Sequence, residues 1–198
     1  MRAKRLFDIA CSLAGLIVLL PLFLLVGAMI KMDSSGPVFF RQVRVGQQGR
    51  LFRIHKFRTM IADADAKGPT LTVGADPRVT RIGTYLRKYK LDELPQIIDV
   101  LSGTMSLVGP RPEVPRYVAH YGDENRRIVL SVKPGITDEA SIRFRDEQAL
   151  LREAENPEEY YVTHVLPIKL RYYRDYVATR TFLGDLRTIL RTLGVIFQ

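Results

Sequence analysis

The sequence predicts an α+β fold that is mainly helical, with one short β-hairpin behind an apolar N-terminal segment. Residues 36–60, GPVFFRQVRVGQQGRLFRIHKFRTM, alternate apolar and polar side chains on both sides of a Gly46–Gly49 turn, which is typical of a hairpin. Helices are expected over Thr84–Lys90, directly after Pro95, and in the last segment, where apolar residues recur at helical spacing. Nearly every residue from Ile9 to Ile30 is apolar.

The composition fits one domain and restricts the chemistry that the chain can carry. At 198 residues it is long enough for one hydrophobic core. The formal net charge of +9 predicts an anionic partner: a nucleic acid, a phosphorylated substrate or an anionic lipid. The single cysteine, Cys11, excludes an internal disulfide, and the three scattered histidines offer no zinc-ligand spacing. The sequence also lacks a Walker A loop and a Gly-x-Ser-x-Gly motif.

The apolar N-terminal segment has two interpretations. As a straight helix it would cover roughly 33 Å, enough to cross a bilayer as a single-pass anchor. Pro21 lies at its middle, however, and basic residues flank both ends, so a helix-break-helix that re-enters on one face is the alternative. In that case residues 1–36 form the membrane-inserted part and residues 37–198 the second domain. A signal peptide fits less well, because the apolar run is long and lacks a small-residue cleavage site.

Two further segments lack a regular pattern, and one is amphipathic. Residues 61–80 are rich in Gly, Pro, Asp and Thr, which predicts a loop. SLVGPRPEVP, residues 106–115, is expected to be an irregular connector without strand pairing, because of its prolines. The last helix combines an apolar side with arginines elsewhere, so it can lie on an anionic membrane or pack on the core; its apolar residues are Phe182, Leu186, Ile189, Leu190 and Leu193.

Several basic residues stand beside prolines, glycines or strand ends. Each alone is typical of a solvated surface charge. Together they predict a diphosphate site, because guanidinium groups match phosphate oxygens with two parallel hydrogen bonds. Arg111 is held between Pro110 and Pro112, so its backbone has little entropy to lose. The set comprises Lys56, Arg58, Arg87, Arg111, Arg143 and Arg145.

The acidic pair Asp92–Glu93, in KLDELPQ, also has two interpretations. If a helix begins near Pro95, a carboxylate at this position can cap its positive end. Capping uses one carboxylate and leaves the other as a surface charge. The alternative uses both: one carboxylate attacks a phosphoryl group, and its neighbour binds Mg²⁺ together with substrate phosphate.

Four motifs in order, KFRTM, DELPQ, SLVGPRPE and KPGIT, together resemble the bacterial sugar transferase family. More narrowly, the chain is similar to its small monotopic polyprenyl-phosphate phosphoglycosyl transferases over almost its whole length. The resemblance implies transfer of a phospho-sugar from a UDP-sugar to polyprenyl (undecaprenyl) phosphate, with UMP released, as the first membrane step of glycoconjugate or exopolysaccharide synthesis. It places the protein on the cytoplasmic face of the bacterial inner membrane, in contact with its lipid.

The resemblance also assigns roles to residues. It implies that Asp92 is the nucleophile that takes the phospho-sugar and that Glu93 is the Mg²⁺ ligand. Substrate phosphate contacts are expected from Lys56, Arg58, Arg87, Arg111 and Arg145. The implied fold is a compact, mainly helical catalytic domain with a short hairpin, set on interfacial helices and a re-entrant N-terminus broken at Pro21. The resemblance is also compatible with a homodimer.

One stretch departs from the family pattern, and two other functions compete. After KPGIT the chain reads DEASIRFRD (138–146) and keeps only Ala140 and Arg145 of the usual motif, so the donor sugar cannot be carried over. The charge alone would also suit a membrane-anchored nucleic-acid-binding module, but the basic residues are interleaved with prolines and carboxylates, so no nucleic-acid partner is expected. The second competitor is an anchor protein without catalysis, in which the acidic pair is only a cap.

Overall fold

The computed structural model describes residues 2–62, 64 and 76–196, so most of the loop predicted over 61–80 lies outside the described residues. The described part is mostly helical, with four short strands. The helices are α1 (Arg2–Asp33), α2 (Arg81–Lys88), α3 (Gln96–Ser102), α4 (Pro115–Val118), α5 (Asp123–Val129), α6 (Glu139–Arg143), α7 (Glu147–Arg152), α8 (Pro157–Tyr160), α9 (Leu166–Thr179) and α10 (Phe182–Ile196). The strands are β1 (Phe39–Val45), β2 (Leu51–Phe57), β3 (Ser106–Val108) and β4 (Gly135–Thr137).

The predicted hairpin is confirmed. β1 and β2 pair antiparallel from Phe39↔Phe57 to Val45↔Leu51. The turn between them places Gln48 and Gly49 at positive φ, of 58° and 76°, a conformation that glycine adopts without steric cost. The predicted helices are also present. α2 begins at Arg81, three residues before the expected start, because the Thr80 hydroxyl accepts a hydrogen bond from Gly83 N at 3.0 Å and caps it.

The prediction that residues 106–115 contain no strand pairing is wrong for their first three residues. Ser106–Val108 forms β3, which pairs in parallel with β4 with Val108 opposite Thr137. A strand of three residues is too short for alternation to reveal, and the prolines begin only after it. The two backbones approach so closely that a Cβ on Gly135 would lie 2.1 Å from Gly109 N. Glycine is therefore required where these two strands meet.

The predicted division of the N-terminal segment at Pro21 is not seen, because α1 is one helix with Pro21 inside it. A long helix tolerates one proline at the loss of one backbone hydrogen bond. By length and composition α1 could cross a membrane. Its first turns nevertheless contact the rest of the chain: Arg5 Nη1 donates to Val100 O at 2.6 Å. Its second half does so as well, with the Phe23 ring packed edge-on against Phe57 at 5.2 Å.

The apolar face of α10 is exposed, and its one buried residue with a charged side chain is Asp185. A helix that packs on a core has the opposite arrangement, so the core-packing interpretation of this helix is wrong. Phe182 contacts the Phe7 ring of α1 edge-on at 5.2 Å. The N-terminal ends of α1 and α10 therefore contact each other, and both helices expose large apolar side chains, among them Leu6, Leu13, Ile17, Val18, Leu24, Leu183, Leu190 and Leu193.

Candidate active site

The acidic pair lies in a single 3₁₀ turn, Leu91–Glu93, between α2 and α3. Lys90 adopts a left-handed conformation (φ 56°, ψ 20°) and redirects the chain into this turn. No side chain caps the 3₁₀ turn, and none caps α3, whose cap position is Pro95. The capping interpretation of Asp92 and Glu93 is therefore wrong. The pair needs another explanation.

Glu93 is held by two cations. Lys56 Nζ donates to Glu93 Oε1 at 2.8 Å, and Arg111 Nη1 donates to Oε2 at 2.9 Å. Arg111 Nη2 also donates to Oε1, so the guanidinium binds both carboxylate oxygens through its two terminal nitrogens. Burial alone would raise the pKa of Glu93, but the charges and hydrogen bonds of Arg111 and Lys56 lower this pKa well below its usual range. Glu93 is therefore an anion that organises two phosphate-binding candidates.

Asp92, its neighbour, is in the opposite situation. The side chain is 9% exposed, and within the described part of the chain its carboxylate accepts no hydrogen bond. Burial raises the pKa of Asp92, and the positive charge of Lys56 only partly offsets this effect. A buried carboxylate without hydrogen-bond donors is a poorly solvated anion, and such an anion is reactive towards an electrophile.

The other predicted basic residues divide into two groups. Arg87 lies near the pair: its charge acts on the pKa of Asp92, and its Nε donates to Thr59 Oγ1 at 2.9 Å. Arg58 is 5% exposed and donates to Ser34 O at 2.7 Å and Ser35 O at 2.8 Å, so it fixes the end of α1 instead. Arg145 lies beyond α6, and among the described residues it has no ion pair or hydrogen bond with either carboxylate.

The structure adds two polar residues that sequence reasoning missed, Arg44 and Gln96. A shallow, narrow cleft with about 170 Å³ of empty volume, part of it open to solvent, lies beside the point where Lys56 and Arg111 meet Glu93, and its lining comprises Arg44, Ile54, Lys56, Gln96, Arg111 and Pro112. Arg44 Nη1 donates to Pro112 O at 2.9 Å, which places this guanidinium beside the Arg111 segment. The hairpin alternation was the missed signal, because Arg44 lies an even number of residues from Phe40, the register partner of Lys56. The same face of the hairpin thus carries both cations.

Mg²⁺ suits the donor atoms of this site. It prefers carboxylate oxygens and usually completes its shell with substrate phosphate and water. Among residues 2–62, 64 and 76–196 no three His, Cys, Asp or Glu side chains gather into a metal cluster. Both Glu93 oxygens are engaged by Lys56 and Arg111, so a metal ion bound there would have to exchange with one of these cations. Glu93 is thus the residue that would hold such an ion, and only at the loss of one of its present contacts.

Comparison with known proteins identifies the family. Residues 1–198 match the sequence profile described as "Bacterial sugar transferase". The chain belongs to the bacterial sugar transferase family. The profile covers the acidic pair, the cleft and α1 alike, so the geometry described above is that of a family member.

Three relatives show the range of this similarity. The "UDP-glucose:undecaprenyl-phosphate glucose-1-phosphate transferase" of Xanthomonas campestris pv. campestris is 39% identical over 195 residues, covering 96% of this chain and 38% of the relative. The "Undecaprenyl-phosphate glucose phosphotransferase" of Komagataeibacter xylinus is 46% identical over 148 residues, 72% of this chain and 28% of the relative. The "Exopolysaccharide production protein ExoY" of Sinorhizobium fredii is 33% identical over 209 residues, covering 98% and 85%. The chain thus spans less than half of the first two relatives.

Proposed function

We propose that this protein transfers a sugar 1-phosphate from a UDP-sugar to undecaprenyl phosphate and releases UMP. The observation that carries the proposal is the contrast within the acidic pair: Glu93 is saturated by two cations, whereas Asp92 is buried without a hydrogen-bond donor. Family membership and the names of the relatives support this reaction class. A non-catalytic anchor would gain nothing from a carboxylate in that environment.

The reaction proceeds in two displacements. A carboxylate oxygen of Asp92 attacks the sugar-bearing phosphorus, and the bond from this phosphorus to the bridging oxygen breaks, so UMP leaves with the electron pair. The protein then carries an aspartyl phospho-sugar. A phosphate oxygen of the lipid acceptor attacks the same phosphorus, and the Asp92 carboxylate leaves. Both nucleophiles are anions, so neither displacement requires a base.

The cations of the cleft bind the anionic groups during these steps. Lys56 and Arg111 already meet at Glu93, which holds them where a diphosphate can reach both. Arg87 is close enough for its charge to act on Asp92, where it can stabilise the oxygens of the transferred phosphoryl group. Mg²⁺, when bound, would supply charge that offsets the negative charge on the leaving UMP, and Glu93 would hold it.

The contacts of α1 support a membrane protein whose N-terminus lies on the same side of the membrane as the catalytic residues. Lys4 and Arg5 bond to β3 and α3, and Phe23 packs on β2, so both halves of the helix touch the same domain. A helix that crossed the bilayer could not return its first turn to that domain. The exposed faces of α1 and α10 would lie in inner-membrane lipid on the cytoplasmic side. A cysteine at position 2, with Cys11 replaced, should be labelled from the cytoplasm; labelling only from the periplasm would contradict this arrangement.

The reaction itself is tested by UMP release. The full chain in lipid nanodiscs is incubated with Mg²⁺, undecaprenyl phosphate and a panel of UDP-sugars, and UMP is measured by a coupled assay. We expect release with at least one donor, with sugar-phosphate appearing on the lipid. An absence of UMP across UDP-glucose, UDP-galactose and their N-acetyl forms would contradict the proposal.

A further inference from the structure

Gln96, the first residue of α3, is a buried polar side chain with unused hydrogen-bonding capacity. It is 2% exposed, and within the described ranges its side-chain amide makes no hydrogen bond. Among the residues that the structure describes, the side-chain atoms that are shielded from solvent and lack a partner are Ser12 Oγ, Arg58 Nε, Tyr117 Oη and Tyr173 Oη, and the Gln96 amide atoms are not among them. The small exposed fraction of Gln96 therefore lies at its amide, and this residue lines the cleft with Lys56 and Arg111.

An amide without a protein partner in this position lowers the stability of the folded protein. A glutamine side chain offers two donors and one acceptor, and leaving such a group wholly unpaired in the interior costs about 1–3 kcal/mol. The slight exposure of the Gln96 amide to water reduces this cost without removing it. An apolar residue of the same length would avoid this cost. A buried group left unpaired at the wall of a charged cleft indicates that a ligand completes its hydrogen bonds.

The backbone places this amide near Asp92. Leu94 (φ −54°, ψ −36°) and Pro95 (φ −61°, ψ −15°) are both helical, so the chain continues as a right-handed turn from the acidic pair into α3. Residues four apart on such a path lie on the same side. Asp92 and Gln96 are four apart. The Asp92 carboxylate and the Gln96 side-chain amide both lack hydrogen-bond partners among the described residues, whereas Lys56 and Arg111 are bound by Glu93.

We propose that the Gln96 amide donates a hydrogen bond to a non-bridging oxygen of the phosphoryl group that passes through Asp92, and that Gln96 is a further catalytic residue. The inference rests on the proposed function. A neutral donor has a specific advantage here, because it can bind a phosphoryl oxygen without forming an ion pair with Asp92 or Glu93. An ion pair would already occupy the donor and the carboxylate before the substrate arrives. Because it is already desolvated and fixed by α3, it needs no reorganisation as charge develops.

Two variants and one control test this role. Gln96→Met keeps the length and removes the donor, and Gln96→Glu keeps the shape but brings a negative charge towards the phosphate. Gln47→Met is the control, because Gln47 lies on the exposed hairpin turn and donates to Ser131 O. We expect the single-turnover rate of UMP release to fall by about 10²-fold in Gln96→Met, as when one preorganised donor is lost, and by more in Gln96→Glu. KM for the donor should change little, the melting temperature of Gln96→Met should stay the same or rise because the unpaired amide is gone, and the control should match wild type.

The outcome separates this inference from the proposed reaction. Wild-type rates in Gln96→Met, with UMP release intact, would overturn the role of Gln96 and leave the proposed function standing. If wild type itself releases no UMP, the side-chain amide of Gln96 is followed by NMR in glutamine-labelled full-length protein, with its signal assigned from its loss in Gln96→Met. A shift on addition of vanadate, a phosphoryl mimic, would support the contact without any turnover. An unchanged signal would overturn it.

Discussion

Two buried polar clusters in this molecule differ in how completely their hydrogen bonds are satisfied. In the first, Asp185 of α10 accepts from Lys4 Nζ at 2.6 Å and from the Tyr176 hydroxyl at 3.0 Å. Both donor atoms also lie within hydrogen-bond distance of Val108 O, at 3.1 and 3.0 Å. The Lys4 ammonium can donate to both acceptors, and the Tyr176 hydroxyl shares its single proton between them. In the second cluster, Asp92 has no hydrogen-bond partner among the described residues. Burial is common to both clusters, and unmet hydrogen bonding marks only the second.

The comparison indicates what each cluster does. The Asp185 cluster joins the first turn of α1, α9 and α10 to the end of β3, which is a structural task. A groove with about 550 Å³ of empty volume adjoins it, compared with about 170 Å³ for the cleft beside Glu93, so volume alone would favour the satisfied cluster as a ligand site. Groups that the fold leaves unpaired at some cost are better indicators of a ligand site.

The sharpest way to separate the roles is to neutralise each carboxylate of the acidic pair in turn. Glu93→Gln leaves Lys56 and Arg111 as half-buried cations without a counter-ion, which should lower the unfolding free energy by about 1–3 kcal/mol and remove most of the transfer rate. Asp92→Asn removes a charge that burial already disfavours, so the unfolding free energy should stay the same or rise. Urea unfolding of both variants measures the difference. Equal losses of stability would break the distinction.

Arg111→Lys keeps the positive charge and removes the planar guanidinium that can form two parallel hydrogen bonds. Arg111 binds both oxygens of Glu93, and a lysine can match only one of them at a time. We expect the rate of UMP release to fall by about 10²–10³-fold, the effect of losing one preorganised contact to developing charge. The fold should survive, since the positive charge remains. Steady-state kinetics check this, and a variant with wild-type turnover would show that Arg111 is only a counter-ion for Glu93.

Asp185→Ala perturbs the satisfied cluster without touching the cleft. It removes the acceptor shared by Lys4 and Tyr176, and should lower the unfolding free energy by about 2 kcal/mol, the scale of a hydrogen bond to a charged group. The rate per folded molecule should be unchanged at a temperature where the variant is fully folded. Thermal melts and a kinetic assay on the same preparation test both parts. A fall in rate without a fall in stability would assign this cluster a catalytic role.

The pH dependence should also differ between the two carboxylates of the pair. Only ionised Asp92 can attack, and burial raises the pKa of Asp92 above its ordinary value of 3.8, so UMP release should fall with decreasing pH at a midpoint above that value. The pKa of Glu93 is lowered well below its usual range, so its contribution to stability is complete above its ordinary value of 4.5 and is lost only as pH falls towards the lowered pKa. A pH–rate profile beside pH-dependent melts resolves the two effects. Coincident midpoints would contradict the assignment.

The sequence alone predicted what is local and missed what joins distant segments. The hairpin, α2 and α3 follow from alternation, turn glycines and Pro95, all within short windows. The place of the Arg58 guanidinium could not be predicted in the same way: it donates to carbonyls at the end of α1, a contact that depends on how α1 folds back onto β2. Lys4 and Asp185 are 181 positions apart, so no pattern in the sequence could pair them.

The candidate site shows the same limit. KLDELPQ drew attention to the acidic pair, and the prolines around Arg111 predicted a presented guanidinium. Which carboxylate is saturated and which is unpaired could not be predicted, because that depends on the approach of Lys56 from β2 and of Arg111 from the segment after β3. Gln96 lay inside a motif already singled out, and only its burial without a partner distinguishes it.

The most direct test of the account is the intact mass of the protein after exposure to the UDP-sugar that supports UMP release, with no lipid acceptor present. We expect wild type to gain the mass of one sugar phosphate as UMP appears, and to lose that mass when undecaprenyl phosphate is added. Asp92→Asn should fold normally, gain no mass and release no UMP. An adduct on Asp92→Asn, or UMP release by wild type that requires donor and acceptor together, would contradict the assignment of Asp92 as the nucleophile.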